Sequence, residues 1–211
     1  MKEIDNIYIC HYTKLADRKR ILEDHLRVQN IENYEWVENY NADNWDVDEI
    51  KKEYPTIFDI TTKNGKLPNS IISLLLKHLW IIKDIVKNKY KSALVLEDDV
   101  ILCDDFKQKL YSYMIQLPAN WHLGWVGTCC DLHAPMIEGR HVYRMNSSRC
   151  THAFVISLNC AELLLPHINY PNNAADWYYN HLIETYDLNN YWFEPALAVQ
   201  NNKFKTSLEY N

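Results

Sequence analysis

Ala93-Leu94-Val95-Leu96-Glu97-Asp98-Asp99-Val100-Ile101-Leu102 is the stretch that frames the chain. Four apolar residues run into three carboxylates, and three apolar residues run out. A strand this apolar is buried, so its end lies at the rim of a sheet, where α/β folds place ligands. Three adjacent carboxylates at that rim repel one another and lose hydration. The arrangement is costly unless a cation or hydrogen-bond donors compensate. A hard divalent ion, Mg²⁺ or Mn²⁺, suits such oxygen ligands and commonly bridges carboxylates to a substrate diphosphate. The competing reading makes the acids a water-exposed turn into a helix capped by Asp104.

Outward from this strand, the elements mostly alternate. Upstream, Ile7 to Cys10 reads as a first strand, Lys14 to Val28 as an amphipathic helix, and Tyr34 to Val37 as a second strand. The next thirty or so residues, through Asp46, Tyr54, Pro55, Gly65 and Pro68, lack periodicity and read as an irregular insertion. A strong helix runs from about Asn69 to Val86.

Downstream, Phe106, Leu110, Tyr113, Met114 and Leu117 mark a helix, and Trp121 to Gly127 a strand. Cys129 to Ser148 is polar and is expected to hold a hairpin. Ala153 to Ser157 is a strand, and Asn159-Cys160-Ala161-Glu162 fits a capping box opening a helix to His167. Ala174 to Tyr186 is the last helix and Tyr191 to Val199 the last strand. Strands separated by helices predict an α/β fold with a mixed, mostly parallel sheet. At 211 residues, residues 1–211 are expected to form a single domain.

Composition narrows the function. A net charge of −6 argues against nucleic acid as the partner. No segment approaches the ~20 apolar residues of a membrane span, so none is expected. The six cysteines form no C-x-x-C pair and several lie in apolar runs, which predicts reduced, buried thiols and a cytoplasmic location. With only four glycines, the G-x-G-x-x-G and Walker loops are absent, so a phosphate must be held in another way.

Several strings, in order, resemble glycosyltransferase family 25, the group of lipooligosaccharide and collagen galactosyltransferases. Ile7-Tyr8-Ile9-Cys10-His11 with Asp17-Arg18 is similar to the family's opening strand and D-R pair. His78-Leu79-Trp80 resembles its S-H-x-x-x-W helix, with Lys77 where the family usually has Ser. Ala93 to Val100 is close to its most characteristic string. Trp121 to Gly127, Thr151 to Ser157, Ala161 to Leu164, Asp176, Glu194-Pro195 and Ala198-Val199-Gln200 resemble later segments. The chain departs from the pattern at His11, usually Asn, around Lys77, and after Gln200.

The resemblance implies a GT-A-type, Rossmann-like nucleotide-sugar-binding domain. It also implies a UDP-hexose donor, galactose or glucose, Mn²⁺ or Mg²⁺ dependence, and transfer with inversion to a saccharide or protein hydroxyl. Carried onto this sequence, Asp99 is the metal ligand, and Glu97 and Asp98 serve ribose and metal-bound water, with Glu97 also a candidate ligand. Arg18 lies near the donor diphosphate, as its bidentate chemistry and place at a helix start suggest. His78 is a candidate for the donor pocket, against a reading as a plain core histidine, and Gln200 for holding donor or metal.

An inverting transfer needs a base on the acceptor hydroxyl. The acid triplet lies on the leaving-group side, so Asp176 is the candidate catalytic base. Two alternatives stand: an inactive nucleotide-sugar-binding relative, and, more weakly, a metal-dependent phosphohydrolase.

Overall fold

The computed structural model describes residues 4–201. Its main sheet has seven strands in the order β2-β1-β5-β10-β7-β11-β9. These are β1 (Asn6–Cys10), β2 (Glu35–Val37), β5 (Ser92–Glu97), β7 (Leu123–Trp125), β9 (Val142–Arg144), β10 (Ala153–Ser157) and β11 (Asn190–Phe193). Strands β2, β1, β5, β7 and β11 run one way, and β10 and β9 the other. The expected mixed, mostly parallel α/β architecture is present. Strands β6 (Val100–Leu102), β8 (Gly127–Thr128) and β12 (Ala198–Gln200) form a second sheet in the order β6-β12-β8.

The pleat sorts the strand residues to two faces. Tyr8, Val95, Trp125 and Phe154 pack with Leu75, Leu76, Leu79 and Ile82 of α3 (Asn69–Asn88) and Tyr179 and Leu182 of α6 (Ala175–Thr185). On the other face Ile9, Leu94, Leu96 and Val155 meet Leu22 and Leu26 of α1 (Ala16–Val28), and Phe106 and Leu110 of α4 (Phe106–Met114). Because both faces of β5 are covered, its residues Ser92 to Leu96 are all buried. Its polar end therefore opens at the sheet rim.

Several local expectations are corrected. The supposed irregular insertion holds α2 (Val47–Glu53), a 3-10 turn at Ile57–Asp59 and a hairpin of β3 (Thr61–Thr62) and β4 (Gly65–Lys66). Helix α2 is short and charged, with only Ile50 buried, so no apolar period reveals it; Asp46 caps it by accepting from the Asp48 and Glu49 N–H groups. The residue preceding α4 is Asp105, not Asp104, and its side chain makes no cap. Gln29 Oε1, at the end of α1, accepts from the Phe106 N–H instead.

Helix α5 (Leu158–Leu164) is capped by Ser157, whose Oγ accepts from the Cys160 N–H, rather than by Asn159. A 3-10 turn, Leu165–His167, carries the chain on to His167. No local hairpin forms across 129–148, because β9 pairs with the distant β11. The expected last strand is split into β11 and β12: Pro195 has no N–H to continue a ladder, and the chain changes sheets there.

The thiol expectation fails at one pair. Cys129 and Cys150 form a disulfide with Cα atoms 6.4 Å apart, and Cys130 is an exposed free thiol. Cys10 and Cys160 are free and buried, as expected, and Cys103 is half-buried. Among the described residues no helix is long and apolar enough to cross a membrane.

Candidate active site

The site gathers where β5 ends. Parallel β1 lies on one side, so His11, the residue after β1, arrives beside the acids. On the other side β10 is antiparallel, so its beginning, not its end, faces the acids. The Glu97 N–H donates to the His152 carbonyl at 3.0 Å, and Thr151 Oγ1 donates to Glu97 Oε1 at 2.7 Å. Strand β12 closes the third side and brings Gln200 over Asp99.

Each acid has its own partners. Asp98 is clamped: Oδ1 accepts from Arg18 Nη1 at 3.0 Å, and Oδ2 lies 2.7 Å from His11 Nδ1. Asp99 Oδ2 accepts from Arg18 Nη1 at 3.3 Å and from Gln200 Nε2 at 3.1 Å. Asp99 Oδ1, by contrast, is buried with no hydrogen-bond partner among the described residues. Arg18 is itself buried, so it is not part of a solvated basic helix face.

Burial is the largest influence holding the Asp99 carboxyl above the usual carboxylate range. Burial, then the neighbouring Asp99 charge, pushes the Glu97 carboxyl up to about 8. The compensation expected for the crowded acids is therefore built into the chain for Asp98 and is incomplete at Asp99 and Glu97. The three acids do not share one point. Among the described residues, the only ligand atoms of three His, Cys, Asp or Glu side chains lying within 4.8 Å of one another belong to Cys129, Cys130 and Cys150. A metal here would be held by Asp99 Oδ1 and by substrate oxygens rather than by a protein cage. An unpartnered buried carboxylate oxygen suits that role, since Mg²⁺-type ions take one or two carboxylates plus phosphates.

The remaining candidates separate. His78 of α3 is 1% exposed, stacks on Phe154 with ring centres 5.7 Å apart, and lies 4.0 Å from Glu97 Oε1, beyond hydrogen-bond reach. Burial pushes its imidazole down to about 3, so it is a neutral ring behind Glu97. Asp176 sits in the first turn of α6, half-buried, with Oδ1 accepting from its own neighbour, the Trp177 N–H, at 2.9 Å. It is near enough that its charge helps raise Glu97. Its carbonyl accepts from Ser148 Oγ, which fixes the helix start to the segment leading to Thr151.

Two contacts around the candidate site were not anticipated from the sequence: His11 on Asp98 and Thr151 on Glu97. Each lies next to the end of a strand that flanks β5, and that position was the available signal. Lys77 is a third. Buried to 3% exposure, it donates to Asn41 Oδ1 at 3.1 Å and to the Asn39 carbonyl, and burial pushes its ammonium down to about 8. It thereby fixes the loop after β2. Glu38, Tyr40, Asn44 and Trp45 of that loop, with Glu49 of α2, line a cleft of about 370 Å³.

A mixed, mostly parallel sheet covered by helices, with acids at the end of a central strand, is the architecture expected of a GT-A-type domain. The family model for "Glycosyltransferase family 25 (LPS biosynthesis protein)" matches residues 4–179, and the chain belongs to this family. It is 26% identical over 195 residues to the "Procollagen lysyl hydroxylase and glycosyltransferase" of Acanthamoeba polyphaga mimivirus, covering 81% of this chain and 20% of that protein. The chain thus spans a fifth of the length of that curated relative. Its fold is similar to the crystal structure of a glycosyltransferase involved in glycosylation of the major capsid of PBCV-1. That likeness has a TM-score of 0.51 and 14% identity over 95% of this chain and 93% of the other.

Proposed function

We propose that the chain transfers a hexose, galactose or glucose, from a UDP-sugar to a hydroxyl of a saccharide or protein acceptor, with inversion and with Mn²⁺ or Mg²⁺. The observation that carries this reading is Asp99 Oδ1, a buried carboxylate oxygen without a partner at the end of β5. A divalent ion there would supply positive charge to the leaving diphosphate. Arg18 and His11 hold Asp98, which keeps Asp99 in place and leaves one of its oxygens unused.

The cleft beyond β2 falls within the ~300–1,000 Å³ range of ligand pockets and suits a nucleoside. Asp176 takes the acceptor proton: it approaches from α6, a different element from those carrying the donor acids. The lysyl hydroxylase joined to a glycosyltransferase in the mimivirus relative's name supports a protein hydroxyl as one acceptor class. Residues 1–211 act as one domain in this reading, in a cytoplasm-like compartment where the Cys129–Cys150 bond exchanges with dithiols.

The test is a donor-hydrolysis screen over UDP- and GDP-sugars with Mn²⁺, followed by calorimetry on Asp99→Asn. The expected outcome is turnover of one UDP-hexose and loss of Mn²⁺-dependent donor binding in a folded variant. Unchanged UDP-sugar affinity in Asp99→Asn overturns the metal assignment. Donor binding without any turnover favours the inactive relative.

A further inference from the structure

Away from the carboxylates, the sulfurs of Cys129, Cys130 and Cys150 lie within 4.8 Å of one another. The fold, not the disulfide alone, brings them together. Leu132 N–H donates to the Cys129 carbonyl at 3.1 Å, closing a turn over Cys129, Cys130 and Asp131. Cys130 and Asp131 hold φ of 55° and 54°, left-handed values that non-glycine residues rarely adopt. The Leu132 carbonyl then accepts from Arg149 Nε at 2.8 Å, and Arg149 immediately precedes Cys150. Arg149 is fully buried and held by Glu194, so this clamp does not depend on the sulfur–sulfur bond. Cys130 takes no part in the disulfide yet is aimed at the same point, and it is exposed, so an ion reaches it from solvent.

Three cysteine sulfurs converging on one point make a soft-ligand site once the disulfide is reduced. Tetrahedral Zn²⁺–thiolate bonds of ~2.3 Å put ligand sulfurs ~3.8 Å apart, a separation this cluster meets with small movement once the disulfide opens. Hard ions such as Mn²⁺ are poorly matched to sulfur. We propose that, in the dithiol form, Cys129, Cys130 and Cys150 bind one thiophilic d¹⁰ cation, Zn²⁺ or Cu⁺, and that the disulfide is the closed form of this site. A dithiol reductant gives two electrons and two protons to the Cys129–Cys150 bond and is itself oxidised to a disulfide. Three thiol protons are then released as three sulfur–metal bonds form. The fourth position is left to water or to an external ligand. Because Thr151 follows Cys150 and holds Glu97, the cation couples to the active-site wall.

The test uses the full chain reduced with a phosphine under argon and titrated with Cd²⁺ in excess Mn²⁺, which occupies oxygen sites. The readout is thiolate-to-cadmium charge-transfer absorbance, which carboxylates cannot produce. The expected result is saturation at one Cd²⁺ per chain, displaced by Zn²⁺. Cys130→Ser, an exposed change outside the disulfide, should weaken binding by ~10²-fold or more, since one of three soft ligands is replaced by a poor one. The oxidised chain should bind far more weakly. Absence of the absorbance, equal affinity in Cys130→Ser, or equal affinity of the oxidised chain would each overturn the proposal.

Discussion

Replacing Arg149 by Met should be among the most damaging single changes in this protein. Arg149 is 0% and Glu194 1% exposed. The guanidinium donates from Nη2 to Glu194 Oε1 at 2.7 Å, from Nη1 to the Phe193 carbonyl at 3.0 Å and from Nε to the Leu132 carbonyl at 2.8 Å. It also lies over the Trp192 ring, 5.0 Å from its centre. Glu194 Oε1 accepts further from the Ala134 N–H at 2.9 Å, while Oε2 has no partner among the described residues.

Removing the arginine therefore strands a carboxylate in the interior with only the Ala134 N–H and, 3.4 Å from Oε1, His133 Nδ1 beside it. Breaking one side of a buried pair costs ~3–5 kcal/mol. For a domain of this size, 1 kcal/mol moves Tm by ~2–4 °C, so a fall of ~6–20 °C is expected. Adding Glu194→Gln removes the stranded charge, so Arg149→Met/Glu194→Gln should recover at least ~1 kcal/mol relative to Arg149→Met alone. Arg149→Lys should not rescue, because one ammonium cannot serve three acceptors in a planar fork. Urea unfolding of the four proteins measures these differences. An Arg149→Met variant within ~1 kcal/mol of wild type, or a double variant less stable than the single, refutes the argument.

Three further outcomes are expected. Asp176→Asn should lower transfer by ~10²–10⁴-fold with donor affinity and metal requirement near wild type, the size of a general-base contribution; steady-state kinetics with a loss only in donor KM would exclude that role. Gly127→Ala should destabilise by ~1–3 kcal/mol, because the new Cβ would lie 2.2 Å from His152 Nε2 in a filled interior; an unchanged Tm would contradict this. Burial pushes the His152 imidazole down to about 4. The folded state then binds fewer protons than the unfolded one between pH ~6.5 and 4, so this stability is full above pH ~6.5 and is lost as pH falls through that window. By pH 5 the loss is on the order of 2 kcal/mol. Glu97, whose carboxyl is raised, acts with the opposite sign, being least favourable above pH 8. The measurement is accordingly the difference in pH slope between wild type and His152→Gln, and parallel slopes would count against a buried neutral His152.

The α/β class, the buried strand, and the placing of Glu97, Asp98 and Asp99 at its end were legible in the sequence. These follow from apolar periodicity and from the abrupt change to carboxylates, which are local properties of the chain. So were the long helix α3 and the turn that opens α6 with Asp176. The short α2 and the true caps Ser157 and Gln29 were not, because charge-rich short helices carry little periodic signal and a cap can come from another element. Which acid finds which partner was decided only by tertiary structure. Thr151 meets Glu97 across 54 residues because β10 enters antiparallel, His11 meets Asp98 across 87 because β1 lies beside β5, and Gln200 meets Asp99 across 101 through β12. The sequence places three repelling charges at a rim. The strand order determines that Asp98 is held by Arg18 and His11, that one oxygen of Asp99 is left unsatisfied, and that three cysteine sulfurs come within 4.8 Å of one another. Such long-range pairings depend on how strands are ordered and directed, which no local periodicity records.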